Sequence, residues 1–460
     1  MLVIGGGAAG LTAAGFAASL GARTALVEAR RTGGDCTWFG CVPSKTLLHG
    51  AAAGIPFPAA MDEVRRIRQQ VYEEADAPPV LEKFGVEVIQ ASARFLDPHT
   101  IELHPGGRRI RSRYFVIAAG SVPSVPPLDG LGRVPYLTNE TIFELTELPR
   151  RLLVLGAGPV GIEMAQAFSM LGSQVTVVGS SSRILPRDDS ELALILQETL
   201  ASQGIRFVLN AHATRLEQNG SIRLTTGESF EADALLLATG RRSNVDLLDL
   251  AQAGVRTGRD GIVVDHHCRT SVKHIYASGD VTGLFRFTHM AEHMSKVAVT
   301  NALLHYPMSI DRDGITWCTF TNPEFAHVGR TDAELRASST AFEVYRFPYS
   351  RLDRSITDQS TTGMVKVFAR RWDGRVYGAT ILGVRAGDLI AEYALAIRHG
   401  ISLRKIADTI HPYPSYALAN RRAADQWYVR KQSRTFVRWL QRIFRYRGQL
   451  PDTSDRERIL

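Results

Sequence analysis

Cysteine is scarce in this sequence, with four residues among 460. That number is far too small for a secreted disulfide framework, so a close cysteine pair in a reducing compartment favours a catalytic or metal-binding role. No apolar run approaches the roughly 20 residues that span a bilayer. The first residues carry neither a basic segment ahead of an apolar one nor a small-residue cleavage site. The sequence therefore predicts a cytoplasmic protein.

Acidic residues are scarce at one end of the chain. The formal net charge is +8, and residues 421–460 contain ten Arg and one Lys against four acidic residues. The preceding residues are close to neutral, so the charge does not cover the body of the protein. A basic stretch confined to one tail is not the pattern of an enzyme built to bind nucleic acid. No nucleic-acid partner is predicted.

Two segments repeat one local design of strand, glycine turn, helix and strand, beginning at Leu2 and at Leu152. Short apolar strands in such units belong to a parallel sheet that is covered on both faces. Further on, residues 365–368 and 376–382 read as the strands of a hairpin around Trp372, and 388–399 read as a helix. The predicted fold class is α/β, with two Rossmann-like dinucleotide-binding domains and an α+β C-terminal domain. The predicted ranges are 1–122 with 245–311, then 123–244, then 312–425, and a basic amphipathic tail at 426–460.

The glycines of both repeats follow the spacing G-x-G-x-x-G. Such glycines allow a tight turn and let a pyrophosphate reach the helix N-terminus, while a carboxylate at the end of the next strand binds ribose hydroxyls. Three other strands end in small residues, which permit close approach of a ligand. The candidate cofactor-binding residues from these patterns are Gly5, Gly7, Gly10, Glu28, Gly156, Gly158, Gly161, Ala119, Gly120, Gly240 and Gly279.

The second repeat has no acid where Glu28 stands in the first. An acid there would bind the 2′-hydroxyl of NAD and repel the 2′-phosphate of NADP. Its place is taken by residues 179–182 and Arg183, whose hydroxyls and guanidinium suit a phosphate. NADP is therefore the favoured nicotinamide cofactor, with NAD as the alternative. Arg183 as a simple surface charge is the other interpretation.

The most specific signal is the cysteine pair Cys36 and Cys41, which lie five positions apart at the start of a predicted helix. A thiolate near a helix N-terminus has a lowered pKa and is a competent nucleophile. Zinc sites usually use C-x₂₋₄-C with a second such pair, and no second pair exists in this sequence. His266, His267 and Cys268 follow Val263 and Val264 on a predicted strand and are read as surface or structural residues. The pair is therefore predicted to be redox-active, and no metal site is predicted.

In these motifs and their order, the chain resembles the class I flavoprotein disulfide reductases over about residues 1–425. The resemblance implies FAD at the first fingerprint, Gly34, Gly279 and Asp280, and a nicotinamide cofactor at the second fingerprint. It implies that Cys41 is the flavin-proximal thiol and Cys36 the interchange thiol. It further implies that Lys45 lies near the flavin and pairs with Glu163, which would otherwise be read as a solvated helical carboxylate.

The C-terminal motif departs from that family. Where glutathione reductase and lipoamide dehydrogenase have a catalytic His and an orienting Glu, this chain has Tyr413 and Leu418. A second register would place His411 at the acid/base position and Tyr416 at that of Glu, and in either register the pair is broken. A phenol with a pKa near 10 accepts a thiol proton poorly at neutral pH. We therefore expect weak turnover of glutathione disulfide and dihydrolipoamide.

The resemblance leaves three acceptors open. The first is a disulfide or metal ion, as in mercuric reductase, which also has Tyr in this region, although no cysteine follows Cys318 here. The second is dihydrolipoamide, and the third is a quinone reached from the membrane surface. The family also implies a homodimer, in which Tyr413 acts on the partner's site.

The basic tail has a helical pattern. Phe436, Trp439, Leu440, Ile443 and Phe444 recur at helical spacing, and Arg434, Arg438, Arg442 and Arg445 follow the same spacing on another face. Such a helix fits the interface of an anionic bilayer. The alternative is that its apolar side packs on the dimer. The enzyme is therefore expected to be cytoplasmic, and the tail adds the expectation of peripheral contact with the inner face of the membrane.

Overall fold

The computed structural model describes residues 1–133, 135–217, 221–431 and 434–449. The chain divides into two compact units. The first unit comprises Met1–Ser182 and Gln203–Ile310, and the second comprises Arg183–Ser202 and Asp311–Leu460. Residues 450–460 of the predicted tail lie outside the described residues. In the described part of the chain, no helix is both long and apolar enough to cross a membrane.

The first unit contains a five-stranded parallel sheet that starts the chain. Its strands, in spatial order, are Ile275–Ala277, Phe115–Ile117, Leu2–Ile4, Thr24–Glu28 and Val86–Gln90. Leu2, Val3 and Ile4 are all buried, as expected of a central parallel strand with both faces covered. Helices Ala8–Ser19 and Thr288–Val299 pack against each other beside this sheet.

A second parallel sheet of four strands repeats this arrangement in the same unit. Its strands, in spatial order, are Arg206–Val208, Gln174–Val178, Arg151–Leu155 and Ala234–Leu237. Helix Pro159–Met170 connects its two central strands. Both predicted repeats of strand, glycine turn, helix and strand are therefore present, and the predicted α/β fold class is confirmed.

The remaining elements of the first unit are short helices and small antiparallel sheets. The other helices and helical turns are Gly34–Trp38, Cys41–Ala52, Phe57–Val71, Tyr72–Asp76, Pro78–Lys83, Leu131–Arg133, Ile142–Glu144, Gly279–Thr282 and Thr300–Leu304. The small sheets are Ser92–Asp97 with Thr100–His104 and Arg109–Arg111, Ala213–Leu216 with Ser221–Leu224 and Ser229–Glu231, and Ser121–Pro123 with Arg241–Ser243. The strands Ser121–Pro123 and Arg241–Ser243 directly follow Gly120 and Gly240, two of the predicted cofactor-binding residues.

The second unit is built on a five-stranded antiparallel sheet. Its strands, in spatial order, are Thr316–Thr319, Glu324–Gly329, Val376–Gly383, Met364–Ala369 and Glu343–Pro348. Its helices and helical turns are Ser190–Ser202, Asp332–Ala337, Tyr349–Arg351, Asp353–Thr357, Ala386–His399, Leu403–Asp408, Leu418–Lys431 and Arg434–Phe444. The hairpin around Trp372 has the predicted antiparallel pairing. Helix Ala386–His399 includes the predicted 388–399.

Segment Arg183–Ser202 clusters with the second unit although its neighbours in the sequence belong to the first. A buried ion pair explains this grouping, since Lys366 Nζ lies 2.7 Å from Asp189 Oδ2 and 2.8 Å from Glu191 Oε2. Trp317 Nε1 also donates a 2.6 Å hydrogen bond to Asp188. Lys366 and Trp317 of the sheet therefore hold this segment within the second unit. A buried charge without a partner costs much free energy, so the ion pair keeps Asp189 and Lys366 together.

Two local predictions differ from the structure. The tail predicted from residue 426 starts inside the core of the second unit, because helix Leu418–Lys431 buries Trp427 and Val429. Trp427 belongs inside because its Nε1 donates to Arg371 O at 3.1 Å, which satisfies its polar end. The strand predicted beside Val263 is not formed, and an isolated bridge at Ile262 is all that remains of it.

Candidate active site

The first glycine fingerprint forms a turn between strand Leu2–Ile4 and helix Ala8–Ser19. Gly5 has a φ of 108°, and a Cβ added there or at Gly10 would come within 3.0 Å of backbone oxygen. Both glycines are therefore required by the close packing of the turn. Gly7 precedes the helix, and its own added Cβ would meet only Gly34 Cα, at 3.7 Å. The turn leaves helix N–H groups available in the way that a pyrophosphate requires.

Glu28 lies at the end of the strand that follows this helix, as predicted. Its Oε2 accepts a 2.5 Å hydrogen bond from Gly6 N, and its Oε1 accepts a 2.7 Å bond from Arg30 N. These bonds fix the carboxylate beside the glycine turn. Each carboxylate oxygen keeps a further acceptor site for a hydroxyl group. The donor set therefore fits the ribose of a dinucleotide.

Gly279 and Asp280 approach the same turn from a distant part of the chain. A Cβ at Gly279 would lie 3.1 Å from that of Ala9, and Ser295 Oγ donates to Ala9 O at 2.8 Å. Burial raises the pKa of Asp280, whose Oδ2 accepts a 2.6 Å bond from Ser121 Oγ. These contacts bring the two predicted FAD residues beside the fingerprint. The first fingerprint, Glu28 and Asp280 together fit FAD.

The two cysteines of the pair lie on consecutive short helices, Cys36 within Gly34–Trp38 and Cys41 at the start of Cys41–Ala52. Both are free thiols, with Cys36 half-buried and Cys41 exposed. A Cβ at Gly34 would collide with Gly7 Cα, so this segment lies directly against the fingerprint turn. The structure thus brings the pair next to the predicted FAD residues of the first unit.

Hydrogen bonding divides the two thiols into a thiolate and a thiol. The hydrogen bond from Cys36 lowers the pKa of Cys41 to about 6, and Thr288 and the charge of Lys45 act in the same direction. Thr288 Oγ1 lies 3.5 Å from Cys41 Sγ. The pKa of Cys36 is raised, because it bonds to Cys41 and because it is buried. At neutral pH the negative charge therefore resides on Cys41.

Lys45 and Glu163 form the predicted pair. Lys45 Nζ lies 2.6 Å from Glu163 Oε2, and the Glu163 side chain is 6% exposed. Lys45 lies one helical turn after Cys41, while Glu163 comes from helix Pro159–Met170, after the second fingerprint. Glu163 is therefore not the solvated helical carboxylate of the alternative interpretation. Its charge fixes a cation beside the Cys41 thiolate.

The second fingerprint has the same geometry as the first. Gly156 has a φ of 121°, and a Cβ added there or at Gly161 would come within 3.0 Å of backbone oxygen. A Cβ at Gly158 would meet no protein atom within 4 Å. Protein packing therefore does not require glycine at position 158. Because glycine has no side chain, a ligand phosphate can approach the backbone there. These residues fit a second dinucleotide.

Arg183 is engaged by its own loop. Its Nη2 donates to Pro186 O at 2.8 Å and to Asp188 O at 3.2 Å. Arg187, which the sequence patterns did not indicate as a candidate, is exposed in the same loop. The signal that could have identified Arg187 is its position four residues after Arg183, in the segment that follows the strand of the second fingerprint. Ser180 and Ser182 are exposed at the end of the first unit's strand.

The small residues at the remaining strand ends are also brought together. Gly120 and Gly240 have positive φ values of 70° and 135°, and a Cβ at either would meet no protein atom within 4 Å. Ser124 N donates to Gly240 O at 2.9 Å, and Asn244 Nδ2 donates to Ala119 O at 3.3 Å. These two strand ends therefore adjoin, with open space above the glycines.

A polar chain that the sequence analysis missed links the cysteine segment to Asp280. Arg241 Nη2 donates to Asp35 Oδ1 at 3.0 Å, and its Nε donates to Ser121 Oγ at 2.7 Å. Ser121 in turn donates to Asp280. Asn139 Nδ2 gives Asp35 a further 2.9 Å bond. Asp35 adjoins Cys36, so these bonds fix the position of the thiol-bearing helix.

The C-terminal motif lies in the second unit. Tyr413 is 70% exposed, and its hydroxyl donates to Asp353 Oδ2 at 2.9 Å. That bond raises the pKa of Tyr413. His411 does have a carboxylate partner, since its Nε2 lies 3.0 Å from Glu392 Oε1, but its side chain is only 7% exposed. Tyr413 is therefore the accessible group, and it is a hydrogen-bond donor rather than a base.

The other histidines and cysteines form no metal centre in the part of the chain that the structure describes, where no three His, Cys, Asp or Glu residues cluster suitably. Burial raises the pKa of Cys268, so this thiol is inert at neutral pH. His267 Nδ1 lies 2.8 Å from Met308 O. Its bond is structural, in keeping with the interpretation of this segment.

Comparison with known families decides the affiliation. The family model described as pyridine nucleotide-disulphide oxidoreductase matches residues 1–295, and the model of its dimerisation domain matches residues 315–424. The chain belongs to this family. Its members bind FAD and take electrons from NAD(P)H, and this oxidoreductase is accordingly a FAD-dependent enzyme. The matched dimerisation domain supports a homodimer.

Several members of the family resemble the chain over most of its length. Mercuric reductase of Streptomyces lividans is 34% identical over 456 residues, covering 92% of this chain and 95% of that protein. Dihydrolipoyl dehydrogenase of Haloferax volcanii is 33% identical over 456 residues, with the same two coverages of 92% and 95%. The structure of HOCl-induced flavoprotein disulfide reductase RclA from Escherichia coli has a TM-score of 0.85 at 28% identity, covering 93% of this chain and 99% of that one. The predicted resemblance is confirmed.

Proposed function

We propose that this oxidoreductase passes electrons from NADPH through FAD to the Cys36–Cys41 pair, and from there to a disulfide or metal-ion acceptor. The observation that carries the proposal is the Cys41 thiol with its pKa lowered to about 6, held between Cys36, Thr288 and Lys45. A structural cysteine in an apolar core has a raised pKa, as Cys268 does. The constellation suits redox chemistry.

FAD, when bound, supplies the hydride chemistry between the nicotinamide and the thiols. The fingerprint glycines Gly5, Gly7 and Gly10, together with Glu28, would hold it. Gly34, Ala119, Gly120, Gly279 and Asp280 would complete that site. Gly156, Gly158, Gly161 and Gly240 would hold the nicotinamide cofactor. Lys45 would keep a positive charge near the flavin, and Glu163 would fix the direction of that ammonium group.

The two cysteines would then divide the exchange between them. The Cys36 sulfur attacks one sulfur of an acceptor disulfide as a thiolate, which forms a mixed disulfide and releases the first acceptor thiolate. The Cys41 thiolate next attacks the Cys36 sulfur, which releases the second acceptor thiolate and re-forms the Cys36–Cys41 bond. Cys36 must lose its proton for the first step, since its pKa is raised. A base is therefore needed, and Tyr413 is a poor one.

The acceptor is proposed to be that of a mercuric reductase-like enzyme. Relatives of this name and Tyr413 support the proposal, while relatives named dihydrolipoyl dehydrogenase support lipoamide as the alternative. A quinone is the third candidate, supported by the exposed aromatic residues of the tail. Tyr413 would act on the partner's thiols in the proposed homodimer, as a hydrogen-bond donor.

An acceptor screen tests this assignment. With NADPH and the FAD-loaded enzyme, we expect Hg(II) turnover to exceed that of glutathione disulfide and lipoamide, since a general base is worth about 10²–10⁴-fold. Oxidation of NADPH is followed at equal concentrations of Hg(II), each disulfide and a quinone. Tyr413→His is the matched variant, and it should raise disulfide turnover. Disulfide turnover at the level of a dedicated reductase by the unaltered enzyme would contradict the assignment.

NADPH is proposed as the preferred donor. No acid follows the second fingerprint's strand, and the exposed Ser180 and Ser182 precede the two arginines Arg183 and Arg187. Because Arg183 donates to its own loop, we expect Arg187→Ala to raise the KM for NADPH at least as much as Arg183→Ala does. The kcat/KM ratio of NADPH to NADH is the measurement, with an expected value above about 10. A higher kcat/KM for NADH would refute the preference and favour the lipoamide alternative.

The proposed location is the cytoplasm, with peripheral contact to an anionic membrane through the tail. Helix Arg434–Phe444 supports this contact. Phe436, Trp439 and Ile443 are each about half exposed, at 48%, 55% and 50%. Apolar side chains on one side of a basic helix bind at the interface between lipid head groups and acyl chains.

A further inference from the structure

The tip of the hairpin between strands Met364–Ala369 and Val376–Gly383 carries an exposed tryptophan. Trp372 is 71% exposed. The tip is held in place beneath it, because Arg370 and Asp373 form an ion pair and Gly374 has a φ of 73°. The Arg370 guanidinium lies over the Trp372 ring, 6.0 Å from its centre, and most of the side chain stays exposed. A large apolar side chain on a fixed turn is suited to contact with another surface.

The end of helix Leu418–Lys431 is fastened to this tip. Trp427 Nε1 donates to Arg371 O at 3.1 Å, and Lys431 Nζ donates to Trp372 O. The Lys431 ammonium group also lies 4.0 Å from the centre of the Trp427 ring. Three residues span at most about 10 Å. Helix Arg434–Phe444 therefore begins within about 10 Å of Lys431, whose end is fixed at the hairpin tip.

Helix Arg434–Phe444 brings further apolar groups and a high positive charge. Its exposed apolar side chains are Phe436, Trp439, Ile443 and Phe444. Arg438 and Arg442 follow helical spacing on another side. Arg445 comes just after the helix end, with a φ of 56°, so the predicted helical spacing of the arginines ends at Arg442. Residues 430–449 contain seven Arg and Lys and no Asp or Glu. A second copy of this segment would meet these cations with cations, so the charge opposes self-association of the segment.

We infer that Trp372 and helix Arg434–Phe444 form one lipid-docking surface, whose partner is an anionic bilayer. Aromatic groups enter the interface region, and the arginines pair with lipid phosphates. Duplex DNA would satisfy the cations, but its bases are stacked inside and it offers no apolar layer to the aromatic side chains, which are about half exposed or more. This inference rests on the peripheral contact proposed for the tail and adds a second, rigid anchor to it. Two anchors on one unit would fix the orientation of the enzyme at the bilayer.

Vesicle binding by the FAD-loaded full-length enzyme tests the surface. The vesicles are phosphatidylcholine alone, or with roughly one-third phosphatidylglycerol. We expect the enzyme to bind the vesicles that contain phosphatidylglycerol and not those of pure phosphatidylcholine. Binding should shift the tryptophan emission to shorter wavelength, and high salt should abolish it. Trp372→Ala should weaken binding about tenfold, and truncation after Lys431 should abolish it. Phe84→Ala removes an aromatic side chain of similar exposure, 64%, from the first unit and should leave binding unchanged.

The outcomes separate the inference from the proposals on which it rests. If Trp372→Ala binds like the unaltered enzyme while truncation abolishes binding, the two-anchor surface is wrong and the tail contact stands. If neither change affects binding, or if neutral vesicles bind equally well, both are wrong. A preference for DNA over anionic vesicles would also overturn the inference. NADPH oxidation measured on the same samples reports on the redox function independently, since neither variant alters the thiol pair.

Discussion

Cys41→Ser is expected to abolish turnover of disulfide and metal acceptors while FAD stays bound. A serine hydroxyl cannot form the disulfide with Cys36, and it does not ionise at neutral pH as a thiol with a pKa of about 6 does. Loss of a covalent nucleophile typically costs about 10³-fold or more in kcat. The substitution leaves the fingerprint glycines and Glu28 unchanged, so FAD content should be retained.

Absorbance spectra and the quinone assay sharpen this test. Two-electron reduction of the unaltered enzyme should give a long-wavelength thiolate-to-flavin band, and Cys41→Ser should lack it. Cys318→Ser is the control, because Cys318 is a half-buried thiol outside the pair. It should keep both the band and the activity. A band retained by Cys41→Ser would contradict the assigned role. Retention of quinone reduction alone would mean that the thiols are accessory and would favour the quinone alternative.

The parallel sheets and glycine turns were predictable because local sterics determine them. Gly5 and Gly156 stand where an added Cβ would collide with backbone oxygen, so the chain has no substitute for glycine there. Leu2, Val3 and Ile4 form an uninterrupted buried strand, which a run of apolar residues ahead of a glycine turn indicates. The position of Cys41 at a helix start also follows from local sequence, since the turn and helix lie within a few residues.

The family resemblance implied the Lys45–Glu163 pair, but the other polar contacts of the site were not predictable, because their partners are distant in sequence. Asp35 and Arg241 are separated by 206 positions, and periodicity carries no information about such a pair. Glu392, the partner of His411, lies on helix Ala386–His399, 19 positions earlier, and no sequence pattern indicates that contact either. Trp427 was wrongly predicted to belong to the exposed tail, although it is buried in the core of the second unit. In sequence it extends an aromatic, basic helix, but a carbonyl oxygen at Arg371 satisfies its indole and allows it to enter the core.

The ion pair of Lys366 with Asp189 is a contact that the sequence did not indicate, and we expect stability to depend on it. It lies on strand Met364–Ala369, where the pattern favours apolar residues, and its side chain is 6% exposed. Asp189, at 3% exposed, provides the balancing charge from 177 positions away. Glu191 is the second partner and also binds Arg346. Within the second unit, segment Arg183–Ser202 is held to the sheet through this pair.

Lys366→Met is expected to destabilise the second unit by about 3–5 kcal/mol, because Asp189 is then left buried without a counter-charge. The double variant Lys366→Met with Asp189→Asn should recover most of that loss, since Glu191 retains Arg346 and no unpaired charge stays buried. The measurement is the urea midpoint of the FAD-loaded protein for both single variants and the double one. Arg336→Met removes an exposed ion pair with Asp332 and should change the midpoint little, because solvent screens exposed pairs. If Lys366→Met proved as mild as this control, the ion pair would not be what holds the segment, and apolar packing of helix Ser190–Ser202 would have to account for its attachment.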